Sequence, residues 1–216
     1  MNDENIETGT KAESGIDPEK AARHAEKMAK KKAARDKIMA TKTETGGLLI
    51  VHTGKGKGKS TAAFGMVCRA LGHGMNVGVV QFVKGKWETG ERKVLEAFAD
   101  QISIRTMGEG FTWDTQDLNR DIAAACAAWE QAKELMENPK IDMILLDELN
   151  IVLRYDYLPL QEVVETLKNK RPGLHVIVTG RNAREELIEV SHLVTEMTQV
   201  KHPFRQGFKA QAGIEF

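Results

Sequence analysis

Residues 47–65, GLLIVHTGKGKGKSTAAFG, run from an apolar stretch into glycines that alternate with lysines, and then into small residues suited to a helix. The order of strand, glycine loop and helix start decides the reading, because the sequence GxxxxGK[ST] binds phosphates in that setting. Glycines let backbone N–H groups converge on phosphate oxygens, the lysine reaches along the phosphate chain, and the last hydroxyl ligates magnesium. Gly58, Lys59 and Ser60 fill the final three positions. Where the strict pattern requires its first glycine the chain has Thr53, but Gly54, Gly56 and Gly58 keep the loop's conformational freedom. The candidate nucleotide site is therefore the segment Gly54, Lys55, Gly56, Lys57, Gly58, Lys59, Ser60 and Thr61. Lys59 is its principal cation, and Lys55 and Lys57 are either further phosphate contacts or solvated loop lysines.

Outward from this loop the pattern repeats. GLLIVHT, NVGVVQFV, QISIRTM, IDMILLDE, LHVIVTG and HLVTEMT are short runs rich in Val, Ile and Leu. Longer amphipathic segments such as QDLNRDIAAACAAWEQAKELMEN and PLQEVVETLKNK separate them. Such runs suit strands buried on both faces, and intervening helices supply the crossovers of a parallel sheet. The expected fold is α/β, a mostly parallel central sheet covered by helices on both faces. Within it, Asp114 is expected to cap the helix that follows the loop GEGFTWDTQD.

In an open parallel sheet ligands bind at the carboxyl ends of the strands. Asp147 and Glu148 close the run IDMILLDE, which makes them candidates for holding magnesium opposite Ser60, with capping of the next helix as the structural alternative. Arg181, after the run ending VTG, is a candidate phosphate contact at the same edge or a surface arginine.

Residues 1–45 differ from the rest. They are polar, acidic from Asp3 to Glu19 and basic from Lys20 to Lys42, and form an N-terminal arm distinct from a domain over 46–216. Asp17 as N-cap and Pro18 at the first helical position start a helix there. Its thin apolar stripe of Ala22, Ala25, Ala29, Ile38 and the methionines leaves either a solvated arm or a helix that closes over a site or a partner subunit.

The whole chain of 216 residues balances 31 Lys+Arg against 31 Asp+Glu, so no global charge points to a nucleic-acid or membrane partner. No apolar run approaches the roughly 18 residues of a membrane span, and a cytoplasmic location is expected. Cys68 and Cys126 lack metal or disulfide spacing and are expected to be small buried residues on helices. The six histidines show no ligand spacing and are expected to be structural or exposed.

Physics to this point gives a magnesium–nucleotide enzyme or switch, with the second substrate open. Six ordered blocks supply it: TGKGKGKSTAAFG at 53–65, VQFVKGKWETGER at 80–92, GFTWDTQD at 110–117, LDELNIVLRYDYLPL at 146–160, VTGR at 178–181, and VKHPFRQGFKAQAGIEF at the end. Together they resemble the ATP:corrinoid adenosyltransferases. Thr53 is similar to what this family uses, and Lys55 departs from its asparagine.

The resemblance implies a P-loop NTPase domain of RecA-like architecture that transfers the 5′-deoxyadenosyl group of ATP to the cobalt(I) of a reduced corrinoid and releases triphosphate. It implies Lys59 and Glu148 as catalytic groups, Ser60 and Glu148 at magnesium or manganese beside the Asp147 already read from its strand end, and Phe111 and Trp113 against the lower face of the corrin. It further implies a homodimer, a flavoprotein reductant, and a C-terminal segment packed by the nucleotide or corrin pocket. A P-loop ATPase or kinase, and a corrinoid or nucleotide carrier without catalysis, are the rival readings.

Overall fold

The computed structural model describes residues 17–83, 90–106 and 117–215. The chain divides into two compact units, Met1–Thr45 and Gly46–Phe216. In the first, helix α1 spans Pro18–Ala40. It starts as the sequence requires: the Asp17 side chain accepts a hydrogen bond from the Glu19 amide at 2.9 Å, and Pro18 occupies a position whose missing N–H costs nothing. None of its residues is buried. Ion pairs Glu19–Arg23, Glu26–Lys30 and Lys32–Asp36, each four residues apart, support it at about 0.2–0.5 kcal/mol apiece.

The second unit is built on a six-stranded, wholly parallel sheet. The strands are β1 Leu49–Thr53, β2 Val77–Gln81, β3 Ile102–Thr106, β4 Met143–Asp147, β5 His175–Thr179 and β6 Leu193–Glu196. Their spatial order is β3-β2-β4-β5-β1-β6. All six correspond to the apolar runs of the sequence. Strands β1, β2 and β4 are buried at every residue, which is why they read as continuous apolar runs rather than as alternation. At the edges β3 and β6 are only partly buried or exposed.

Helices cover both faces. One face carries α2, Lys59–Gly72, whose Ala63, Phe64, Val67, Ala70 and Leu71 pack on Ile50, Val79, Leu145 and Ile177. Leu95, from the short helix α3 Gly90–Leu95, joins that cluster. The other face carries α4 Leu118–Glu137, α5 Leu149–Arg154, α6 Leu160–Lys168 and α7 Glu185–Glu189, over Leu49, Val51, Val80, Ile144, Leu146, Val176 and Val178. Burying such a side chain fully contributes about 1.5–3 kcal/mol, so the alternation of β1, β2, β4 and β5 between the two clusters holds the sheet's register. The α/β, parallel, doubly covered P-loop fold expected from the sequence is the fold observed.

Two local expectations are corrected. Helix α4 is capped by Asp117, whose carboxylate accepts from the Arg120 amide at 3.2 Å, and not by Asp114, which lies outside the described residues. Cys68 and Cys126 do lie on helices but are exposed, because α2 and α4 turn neighbouring alanines, Val67 and Trp129 inward instead.

Candidate active site

Strand β1 delivers the phosphate loop to the carboxyl edge of the sheet. The turn out of the strand requires left-handed backbone at Gly54, φ 98°, and Gly58, φ 103°. Gly54 and Gly56 are also needed for space. A Cβ on Gly54 would lie 2.4 Å from the Met197 carbonyl oxygen, and one on Gly56 would lie 2.5 Å from that of Thr198. The Gly56 amide donates to Met197 O at 2.7 Å, and the Met197 amide donates to Thr53 O at 2.9 Å. The segment after β6 thus lies directly along the loop, and Lys57 forms an ion pair with Glu215 near the chain's end.

Thr53, the departure from the glycine pattern, has a structural role. Its hydroxyl accepts the Ala183 amide at 3.0 Å, tying the end of β1 to the turn that follows β5 and carries Arg181. A glycine could not make that tie.

Helix α2 follows Gly58, the residue at its N-cap position, which offers no side-chain cap. Its first amide groups are therefore a ready anion site, reinforced by the helix dipole. Lys59 is buried, and its Nζ donates to Gly56 O at 2.5 Å. Burial pushes the Lys59 ammonium below the usual lysine range. Glu148 pulls it back up, and Arg181 and Lys57 push it further down. Three charges named from the sequence, on Glu148, Arg181 and Lys57, thus act on Lys59 at one edge of the sheet.

Opposite them stands Asp147, the last residue of β4, with no solvent exposure. Its Oδ1 accepts from Ser60 Oγ and from Thr179 Oγ1, each at 2.8 Å, and its Oδ2 accepts from Gln81 Nε2 at 3.2 Å. Glu148 follows in left-handed backbone, φ 65°, with its amide donating to Thr179 Oγ1 at 2.9 Å. It occupies the cap position of α5 without making a side-chain capping bond, so the capping alternative fails for it. Gly180, φ 128°, makes room beside it, since a Cβ there would lie 3.2 Å from Glu148 Oε2.

Among the described residues, no group of three or more His, Cys, Asp and Glu is gathered to hold a metal ion. The Ser60 hydroxyl and the Asp147 carboxylate are nevertheless hard oxygen donors in hydrogen-bond contact with one another. That donor set suits magnesium, which is commonly held by one or two carboxylates together with substrate phosphates.

Lys55 and Thr61 are exposed on the loop and the first turn of α2, and Arg181 is exposed on its turn. Phe111 and Trp113 lie outside the described residues. Sequence reasoning missed Gln81, Thr179 and Glu215. Gln81 and Thr179 are polar residues that directly follow apolar runs within their strands, a signal available in the sequence; Glu215 lies in the C-terminal block expected near the pocket but carries no local signal of its own.

A family model described as "ATP:corrinoid adenosyltransferase BtuR/CobO/CobP" matches residues 45–216. The chain belongs to the ATP:corrinoid adenosyltransferase family. A second model, "Cob(I)alamin adenosyltransferase N terminal", matches residues 11–39, so the arm has its own counterpart. A corrinoid adenosyltransferase of Sinorhizobium sp is 62% identical over 197 residues, covering 90% of this chain and 92% of that protein. One from Pseudomonas aeruginosa is 52% identical over 199 residues, covering 92% and 98%. Corrinoid adenosyltransferase CobA of Salmonella typhimurium is 46% identical over 195 residues, covering 90% and 98%.

Proposed function

We propose that this chain transfers the 5′-deoxyadenosyl group of ATP to the cobalt(I) of a reduced corrinoid, in the biosynthesis or salvage of adenosylcobalamin, and releases inorganic triphosphate. The observation that carries this reading is a phosphate loop, with Thr53 in place of its first glycine, whose Ser60 bonds buried Asp147, in a chain that matches the family along its whole α/β unit. The cobalt(I) electron pair forms the cobalt–carbon bond at C5′ while the C5′–O5′ bond breaks and O5′ departs with the triphosphate. Such a nucleophile needs no activated side chain. The protein's task is to position the two substrates and to offset the negative charge of the leaving group.

In this reading the α2 amides, the loop from Gly54 to Thr61 and Lys59 hold the triphosphate, and Arg181 adds a second cation. Ser60, Asp147 and Glu148 would hold a divalent cation, magnesium or manganese, which supplies charge neutralisation at the phosphates when bound. Phe111 and Trp113 are assigned to the lower corrin face, where displacing an axial base makes cobalt(II) easier to reduce. Residues 1–45 form an arm to the catalytic domain 46–216. A homodimer, a flavoprotein reductant and a cytoplasmic location complete the proposal; their support is the resemblance of the sequence blocks. No helix among the described residues is long and apolar enough to cross a membrane.

The test is product analysis after anaerobic incubation of protein, ATP, magnesium and chemically reduced corrinoid. Triphosphate with a light-sensitive alkylcobalt product is expected. ADP with phosphate would support an ATPase or kinase instead, and intact ATP bound beside unmodified corrinoid would support a carrier.

A further inference from the structure

Asp147 terminates a chain of hydrogen bonds whose direction is fixed at both ends. Arg92 on α3 donates from Nη1 to Thr106 Oγ1 at 3.1 Å, Thr106 donates to Gln81 Oε1 at 3.1 Å, and Gln81 donates from Nε2 to Asp147 Oδ2 at 3.2 Å. A guanidinium has no acceptor and a carboxylate has no donor. Thr106, having accepted from Arg92, has its one proton left for Gln81. The Gln81 amide must then turn its oxygen toward Thr106 and its NH2 toward Asp147. Chemistry thus sets an orientation that the symmetric shape of an amide leaves open.

Strand pairing builds the same chain. Gln81, the last residue of β2, stands in register with Thr106 on one side and Asp147 on the other. Register neighbours in a parallel sheet share a face, so the three side chains form one polar row across three strands. Gln81 is buried and Asp147 fully so. Ser60 and Thr179 both bond Oδ1, and Gln81 holds the carboxylate from its other oxygen, Oδ2.

We propose that Gln81, oriented by Thr106 and Arg92, is a positioning residue that fixes the plane of the Asp147 carboxylate for the divalent cation of the bound nucleotide. The inference rests on the reading of Asp147 as a cation ligand. Groups that orient a metal ligand typically change metal affinity about 10–100-fold when removed. Arg92 lies at the far end of the block VQFVKGKWETGER that begins at Val80, so both ends of that block serve one carboxylate.

The experiment is titration of Mn2+ into the full-length protein with ATP, read by the electron paramagnetic resonance signal of free Mn2+. ATP affinity in EDTA is measured beside it. Gln81→Met and Thr106→Val are expected to weaken Mn2+ binding at least about tenfold with ATP affinity in EDTA unchanged, whereas Thr106→Ser, which keeps the hydroxyl, restores it. The double variant Gln81→Met/Thr106→Val is expected to be no weaker than Gln81→Met, because both changes interrupt one chain.

Wild-type Mn2+ affinity in Gln81→Met and Thr106→Val, alongside a weakened Asp147→Asn, would overturn the role of Gln81 and leave Asp147 as a ligand. Wild-type affinity in Asp147→Asn as well would overturn both readings. Should Gln81→Met fail to fold by circular dichroism, the Thr106→Val and Thr106→Ser pair on the edge strand decides alone.

Discussion

Substituting Gly54 by alanine tests how the phosphate loop is built. The new Cβ would stand 2.4 Å from the Met197 carbonyl oxygen and 2.7 Å from its nitrogen, both backbone atoms held by the pairing of β6 with β1. The residue would also have to keep φ near 98°. Holding an L-residue in so sparsely populated a region costs about 1–3 kcal/mol. Overpacking against fixed backbone costs about 1–3 kcal/mol more, for roughly 2–6 kcal/mol in total. At about 2–4 °C per kcal/mol in a domain of this size, Gly54→Ala should melt roughly 4–24 °C below the wild type.

Gly65→Ala is the matched control. It lies on α2 with nothing within 4 Å of the added methyl, and should gain about 0.5–1 kcal/mol of helix stability. Differential scanning calorimetry of both, with ATP binding measured by isothermal titration, makes the comparison. A Gly54→Ala protein that melts within about 1 °C of the wild type and binds ATP normally would refute the packing of Met197 against the loop.

Other substitutions probe separate parts of the account. Burial lowers the His52 pKa from its ordinary 6.5, so as pH falls through that value the unfolded chain takes up a proton that the folded chain refuses. Stability should therefore drop toward acid, by up to about 1.4 kcal/mol per pH unit, and His52→Leu should remove that component; parallel urea-unfolding profiles from pH 7.5 to 5 would contradict this. Lys59→Met should abolish ATP binding, yet leave the nucleotide-free protein as stable as the wild type or more so at pH 7, because a desolvated ammonium is removed; a melting point several degrees lower would count against that. Arg171 donates to the carbonyls of Met136, Asn138 and Ile141 at the turn into β4, on the edge of the sheet away from the phosphate loop. Arg171→Ala should cost roughly 2 kcal/mol in chemical denaturation with ATP affinity unchanged, and a weakened ATP affinity would contradict the separation of the two edges.

The inner strands β1, β2, β4 and β5 were legible because each is a run of residues buried in a sheet covered on both faces, a pattern local to the chain, whereas the edge strands β3 and β6 are less buried and showed only as short apolar runs. The phosphate loop was legible for the same reason: glycine spacing, lysine and hydroxyl all fall within eight residues of Thr53. Asp17 and Pro18 likewise declared the start of α1. What sequence could not supply were meetings set by strand order. Gln81 reaches Asp147 across 66 positions, Thr53 reaches Ala183 across 130, and Lys57 reaches Glu215 across 158.

Two errors have local causes. Aspartates at 114 and 117 both precede the same amphipathic run, and only the one three residues before Arg120 can accept its amide. Cysteine's general preference for the interior gave way at Cys68 and Cys126, where the helical phase points outward.

The proposed transfer requires that the bond broken in ATP be C5′–O5′. ATP carrying 18O at the bridging O5′, turned over anaerobically with reduced corrinoid and magnesium, tests it most directly by mass spectrometry of the products. All of the label is expected in the triphosphate and none in the adenosyl group on cobalt. Label retained in an adenosine-containing product, with phosphate or diphosphate released unlabelled, would show cleavage at phosphorus and contradict it.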